Sequence, residues 1–233
     1  MAAARKPDIE RRRREKVLVL DGAMGTAIMD AALSADDYHG HDGCHDYLVV
    51  SRPDVISGIH AAYLEAGCDI IETNTFGAQA AELAKHGLQR RAYELNQAAA
   101  VLAVRAARDF SSVGRPRYVA GSIGPGSRLP SLLQADFTEL EDSYHVQALG
   151  LLDGGVDLFQ VETCQDMLQA KAALRALNRA FRERRCSRPV SLLVTLEKNR
   201  MLLGTDIATA LATFLPFPLF AFGVNCGTGP DEM

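Results

Sequence analysis

No stretch of this chain approaches the ~18 consecutive apolar residues that a membrane-spanning helix needs, so no bilayer span is expected. The first residues lack the apolar core and small-residue cleavage site of a secretory signal. Cysteine is sparse and odd in number. Cys44, Cys68, Cys164, Cys186 and Cys226 stand without the spacing of a disulfide framework, which points to a reducing compartment and hence to the cytoplasm. Strong charge of either sign is missing too: a formal net charge of -4 gives no argument for nucleic acid or an anionic membrane as partner. The basic cluster at residues 11–14 is flanked by Glu10 and Glu15 and reads as a solvated leader helix within residues 1–16. Linkers and low-complexity segments are absent, and so is the Gly-x-Gly-x-x-Gly fingerprint of a dinucleotide-binding sheet.

What is present is a chain of 233 residues, 48% hydrophobic, enough for one domain over residues 17–233 with a large core and no need of disulfides or metals. Short apolar runs alternate with longer amphipathic ones. Strands are expected at 17–20, 69–73, 118–122, 158–162, 190–195 and 220–225, with helices at 54–66, 90–110, 137–153, 166–182 and 206–214. Strict alternation implies right-handed crossovers and a parallel sheet. Pro53 and Thr138 mark helix starts, and Gly67 and Gly154-Gly155 mark exits.

The polar residues gather where these strands end. Asp21-Gly22 follows the first run, Glu72-Thr73-Asn74 ends the second, Ser122 the third, Glu162-Thr163 the fourth and Asn225-Cys226 the sixth. Convergence of acidic, hydroxyl and small residues on C-terminal strand ends is how a (β/α)8 barrel builds its active site. Six βα units are counted where a closed barrel needs eight, so the expected fold is an incomplete TIM-type barrel, cut short after its sixth strand. Cys226, between an apolar run and a glycine-rich turn, suits metal or nucleophile chemistry; its plain alternative is a small buried hydrophobe. Asp21 and Glu162 have the alternative of capping a following helix.

Five motifs stand in register: Val19-Leu20-Asp21-Gly22-Ala23-Met24-Gly25-Thr26, Ala66-Gly67-Cys68-Asp69-Ile70-Ile71-Glu72-Thr73-Asn74-Thr75-Phe76, Val119-Ala120-Gly121-Ser122-Ile123-Gly124-Pro125, Gly155-Val156-Asp157-Leu158 leading to Val161-Glu162-Thr163, and Gly223-Val224-Asn225-Cys226. Together they resemble the homocysteine S-methyltransferase family, in particular the homocysteine-binding domains of its cobalamin-dependent methionine synthase branch. The resemblance implies a zinc ion held by three thiolates, of which Cys226 matches one. The other two form an adjacent cysteine pair, and this sequence has no such pair. It also implies that zinc activates the homocysteine thiol, that methylcobalamin supplies the methyl group, and that the cobalamin and folate modules lie outside this chain. Asp21 and Glu162 match acidic residues that hold the substrate ammonium; Thr73, Asn74 and Ser122 are expected in the pocket wall, and main-chain donors near Gly22 and Gly124 on the substrate carboxylate.

The run His39-Gly40-His41-Asp42-Gly43-Cys44-His45 offers zinc-type ligands, but its spacing is neither that of a zinc finger nor that of a helical histidine pair. The resemblance makes it a loop without metal. Two other readings stay open at this point: a non-catalytic remnant that binds homocysteine or a partner, and a relative that takes its methyl group from S-methylmethionine or betaine.

Overall fold

In the computed structural model, which describes residues 8–227, Gly229 and Asp231, five β-branched and apolar runs pair as parallel strands. They are β1 (Ile70–Glu72), β2 (Tyr118–Ile123), β3 (Leu158–Cys164), β4 (Val190–Val194) and β5 (Ala221–Val224), and they lie side by side in chain order. The helices are α1 (Ile9–Glu15), α2 (Met24–Asp30), α3 (Leu48–Ser51), α4 (Pro53–Ala66), α5 (Ala80–Leu83), α6 (Ala92–Asp109), α7 (Phe137–Gly154), α8 (Met167–Arg184) and α9 (Ile207–Phe214). Parallel neighbours in unbroken sequence order are the product of a βα repeat. The fold is the expected TIM-type one, and the barrel is not closed among the described residues. None of the helices described is long and apolar enough to cross a membrane.

The first expected strand is corrected. Residues 17–20 make a single parallel bridge, Leu20 to Ile70, instead of a ladder. The cause is Asp69. Its side chain accepts from the Val19 amide at 3.0 Å and from Lys16 Nζ at 2.7 Å, while its own amide donates to the Val19 carbonyl at 2.7 Å. A side chain takes the place of a strand partner, and the segment still runs alongside β1.

Period-two alternation sorts the strand residues. Ile71, Val119, Phe159, Val161 and Leu192 belong to the main core with residues of α6, α7 and α8. Ile70, Tyr118, Ala120 and Leu158 form a separate cluster with Ile9 of α1. The leader is therefore docked rather than solvated: Ile9 is 3% exposed among the inner strand residues, Arg13 lies over the Phe220 ring and Arg12 donates to the Gly114 carbonyl. Continuing the inner rows toward the C-terminal ends leads from Ile70 to Glu72, from Ala120 to Ser122 and from Leu158 through Gln160 to Glu162. Apolar side chains fill one end of the inner face and polar ones the other.

Local signals set the crossovers. Pro53 opens α4, and Gly67 closes it at φ 117°, a conformation that L side chains rarely adopt. The start of α7 is held by Asp136, whose carboxylate accepts from the Thr138 and Glu139 amides, so the cap lies two residues before the expected Thr138.

Candidate active site at the strand C-termini

Asp21, Gly22, Thr73, Asn74, Ser122, Glu162 and Cys226 all line one cavity of about 660 Å³ at the C-terminal strand ends. Its wall also holds Asp46, Glu72, Gln160 and Asn225, and no lysine or arginine among the described residues. The charged groups of the wall are thus carboxylates facing one another across a partly desolvated space.

Each carboxylate has a distinct environment. Glu162, at the end of β3, accepts from Ser122 Oγ at 2.6 Å and from Asn225 Nδ2 at 3.2 Å, yet its burial holds its pKa above the ordinary value. Glu72, at the end of β1, accepts from Gln160 Nε2 and lies within hydrogen-bonding reach of the Glu162 carboxyl. Burial first, and then the charges of Glu162 and Asp21, push its pKa well up. Asp21 accepts from the Glu72 amide at 2.9 Å through Oδ2, while Oδ1 is buried with no hydrogen-bond partner among the described residues. Burial raises Asp21 to about 7. Asp46 accepts from the Gly77 amide at 3.0 Å and is raised by burial to about 6. Such a wall favours a cation, and Asp21 Oδ1 is a buried acceptor open to one.

The sign for stability follows. A carboxylate whose folded pKa lies above its unfolded value binds its proton more tightly when folded, so stability is fullest at acid pH and declines as pH rises toward the folded value. For Asp21 that window runs from near its ordinary 3.8 to about 7. Asp21→Asn is expected to flatten the fall in thermal stability between pH 5 and 7.5 and to raise Tm at pH 8 by ~2–4 °C, the shift ~1 kcal/mol gives a chain of this size. Thermal melts across that pH range check it; an unchanged slope refutes the assignment.

Thr73 and Asn74 line the cavity while also holding the strand ends. Thr73 Oγ1 accepts from the Ser122 amide at 3.0 Å and meets Thr75 Oγ1 at 2.6 Å, which locks β1 to β2. Asn74 Nδ2 donates to the His45 carbonyl at 2.8 Å and ties the histidine loop to the site. Gly22 packs on Tyr63, where a Cβ would meet the phenol oxygen at 2.9 Å, so residue size matters there apart from any main-chain donor. The Gly124 amide is not available to a substrate carboxylate, because it donates to the Phe76 carbonyl at 3.1 Å.

Cys226 is exposed, in the left-handed region at φ 57°, with Sγ 3.9 Å from Thr163 Oγ1. Thr163 is itself left-handed at φ 56°, a strained state for a β-branched residue. Asn225 holds it there: its Oδ1 accepts from the Thr163 amide at 3.0 Å and its Nδ2 donates to Thr163 Oγ1 at 2.9 Å. Cys44, Cys68 and Cys164 are buried and Cys186 is half-buried, and none lines the cavity.

Rings of the histidine loop are spread over separate contacts. His41 Nδ1 is 3.1 Å from the His86 carbonyl, and His39 and His41 stand edge-on to Tyr47. Among the described residues no three His, Cys, Asp or Glu side chains are grouped to hold a metal ion. The described residues therefore do not complete a zinc site, and Cys226 is one thiol of the right chemistry on the cavity wall.

The homocysteine S-methyltransferase profile matches residues 18–233, nearly the whole chain. The chain belongs to the homocysteine S-methyltransferase family. It is 44% identical over 220 residues to methionine synthase of Mycobacterium leprae, and equally so to that of Mycobacterium tuberculosis; each match covers 94% of this chain and 18% of the relative. The chain thus spans under a fifth of the length of those relatives. The metallated form of the homocysteine methyltransferase MmuM from Escherichia coli superposes with a TM-score of 0.78 at 21% identity, over 96% of this chain and 79% of that one. At that identity the likeness establishes the fold.

Two functional candidates escaped sequence reasoning. Glu72 was visible in its motif, and strand parity places it on the inner row with Ile70, two residues away. Asn225 was visible beside Cys226, but its bridging role depends on a left-handed Thr163 that no pattern announces.

Proposed function

We propose that this cavity binds homocysteine and presents its thiol for methylation to methionine. The observation that carries the reading is the wall of buried and half-buried carboxylates with no lining lysine or arginine among the described residues, and a cysteine on the same cavity. A substrate ammonium fits between Asp21 and Glu162, where the open Oδ1 of Asp21 gains a charge-assisted hydrogen bond and both carboxylates gain a counter-charge. Anchoring one end of a short amino acid in this way fixes where its thiol lies. Ser122 and Asn225 keep Glu162 aimed at the cavity, and Thr163 with Asn225 sets the backbone that carries Cys226.

Zinc and methylcobalamin belong to this reading through family membership. Cys226 supplies one zinc thiolate, and the remaining ligands come from outside the described residues. Zinc, when bound, supplies the Lewis acidity that keeps a thiol deprotonated at neutral pH. The likeness to methionine synthases favours methylcobalamin as donor, with cobalamin and folate handled outside this chain, in the cytoplasm.

Calorimetry of the 233-residue chain tests the ammonium contact. L-homocysteine is expected to bind at least ~10-fold more tightly than 4-mercaptobutanoate, which lacks the amine, since a hydrogen bond to a charged group contributes ~1.5–3 kcal/mol. Equal affinity for the two removes the basis of the proposal.

A further inference from the structure

Three carboxyls meet at one end of the inner face, and a bound ammonium needs only some of them. Glu162 is the better hydrogen-bonded of the touching pair, with Ser122 and Asn225 both donating to it, whereas Glu72 is held by Gln160 alone apart from Glu162 itself. Two carboxyls in mutual contact hold a proton between them, since two bare anions at that separation repel strongly in a desolvated wall. The asymmetry of donors places that proton on Glu72 and the charge on Glu162.

We propose that Glu72 is a positioning residue for substrate capture: its protonated carboxyl donates to Glu162 in the empty cavity and releases the proton when a substrate ammonium enters. In that exchange the Glu72 O–H bond breaks and the proton leaves to solvent water through the cavity mouth. The ammonium keeps all its own protons and takes over as donor to Glu162, and the newly charged Glu72 remains tied to Gln160. No oxidant, reductant or further reactant is involved. The proposal rests on the homocysteine reading above and adds to it a proton count.

Glu72 interacts with Glu162 and the neutral Gln160 from β3 and with Asp21 from the segment before β1. The other titratable groups on the cavity wall among the described residues are His45 and Asp46 from the loop before α3 and Cys226 from the turn after β5. Cys68 lies behind Asp21, its thiol raised to about 11 by burial and the nearby carboxylates. Asp21 also takes up a proton near neutrality, being raised to about 7, so the two carboxyls are separated by working at pH 8, where Asp21 is mostly ionised. Burial, with the charges of Glu162 and Asp21 beside it, pushes Glu72 well above its ordinary value.

Infrared difference spectroscopy of the full chain at pH 8 tests this directly, with L-homocysteine as probe and calorimetry run alongside to score binding. The expected result is a protonated-carboxyl carbonyl band in the empty wild-type chain that is lost when homocysteine binds. That band is expected to be absent from Glu72→Gln and retained in Asp21→Asn. Homocysteine binding with no loss of the band, or an empty wild-type chain with no band, overturns the proposal and leaves the homocysteine reading standing. Absence of homocysteine binding overturns that reading, and the proposal with it. The wild-type spectrum alone decides the matter if Glu72→Gln does not fold.

Discussion

Cys226→Ser is expected to remove zinc and turnover together. The measurement uses this chain joined in frame to the corresponding downstream sequence of the Mycobacterium leprae methionine synthase, with methylcobalamin and homocysteine supplied. A serine hydroxyl does not ionise near neutral pH and is a harder, weaker zinc ligand than a thiolate, so a three-thiolate site loses its hold on the metal. Lewis-acid stabilisation is worth several kcal/mol, and a loss of ~4 kcal/mol lowers the rate by about 10³-fold. Metal analysis after dialysis and a methyl-transfer assay read the two effects independently. Zinc and activity both intact in the variant remove Cys226 from the mechanism. Activity with S-methylmethionine but not with methylcobalamin moves the chain to another branch of the same family.

Glu162→Gln is expected to act on a different constant. Glutamine keeps the size of the side chain and an acceptor for Ser122, but it loses the charge that faces the ammonium. Hydrogen bonds to a charged partner contribute ~1.5–3 kcal/mol, which converts to a roughly 10- to 150-fold rise in the homocysteine KM. The value of kcat is expected to change little, because the methyl-accepting sulfur is at the far end of the substrate. A fall in kcat at constant KM assigns Glu162 to the chemical step instead. Glu72→Gln, measured in the same assay, keeps an N–H donor toward Glu162 but cannot ionise, so it isolates the loss of the titrating carboxyl.

Strand ends and cavity residues were legible for one reason: period-two alternation is local. Knowing that Ile70 and Leu158 share the inner face is enough to bring Glu72 and Glu162 onto one wall. Residues 17–20 misled because an apolar run looks the same whether its amides meet a strand or, as at Val19, the side chain of Asp69 fifty residues on. The leader misled similarly, since four arginines dominate its composition while Ile9 decides where it docks. Gly124 stood in the right motif and the right place, and only the fold reveals that its amide is already bonded to Phe76. Long-range partners of single groups are the part that composition and spacing do not carry.

Asn225 makes the cavity a mechanically coupled object. One primary amide touches Glu162, the Thr163 backbone and the Thr163 hydroxyl, and its own backbone leads directly into Cys226. Glu162 and Cys226 are therefore two ends of one short lever. A ligand that stiffens residues 225–226 also stiffens the aim of Glu162, and binding free energies coupled this way are reciprocal. In the proposed reading, any effect of a metal at Cys226 on amino-acid affinity at Glu162 is matched by an equal effect in the other direction.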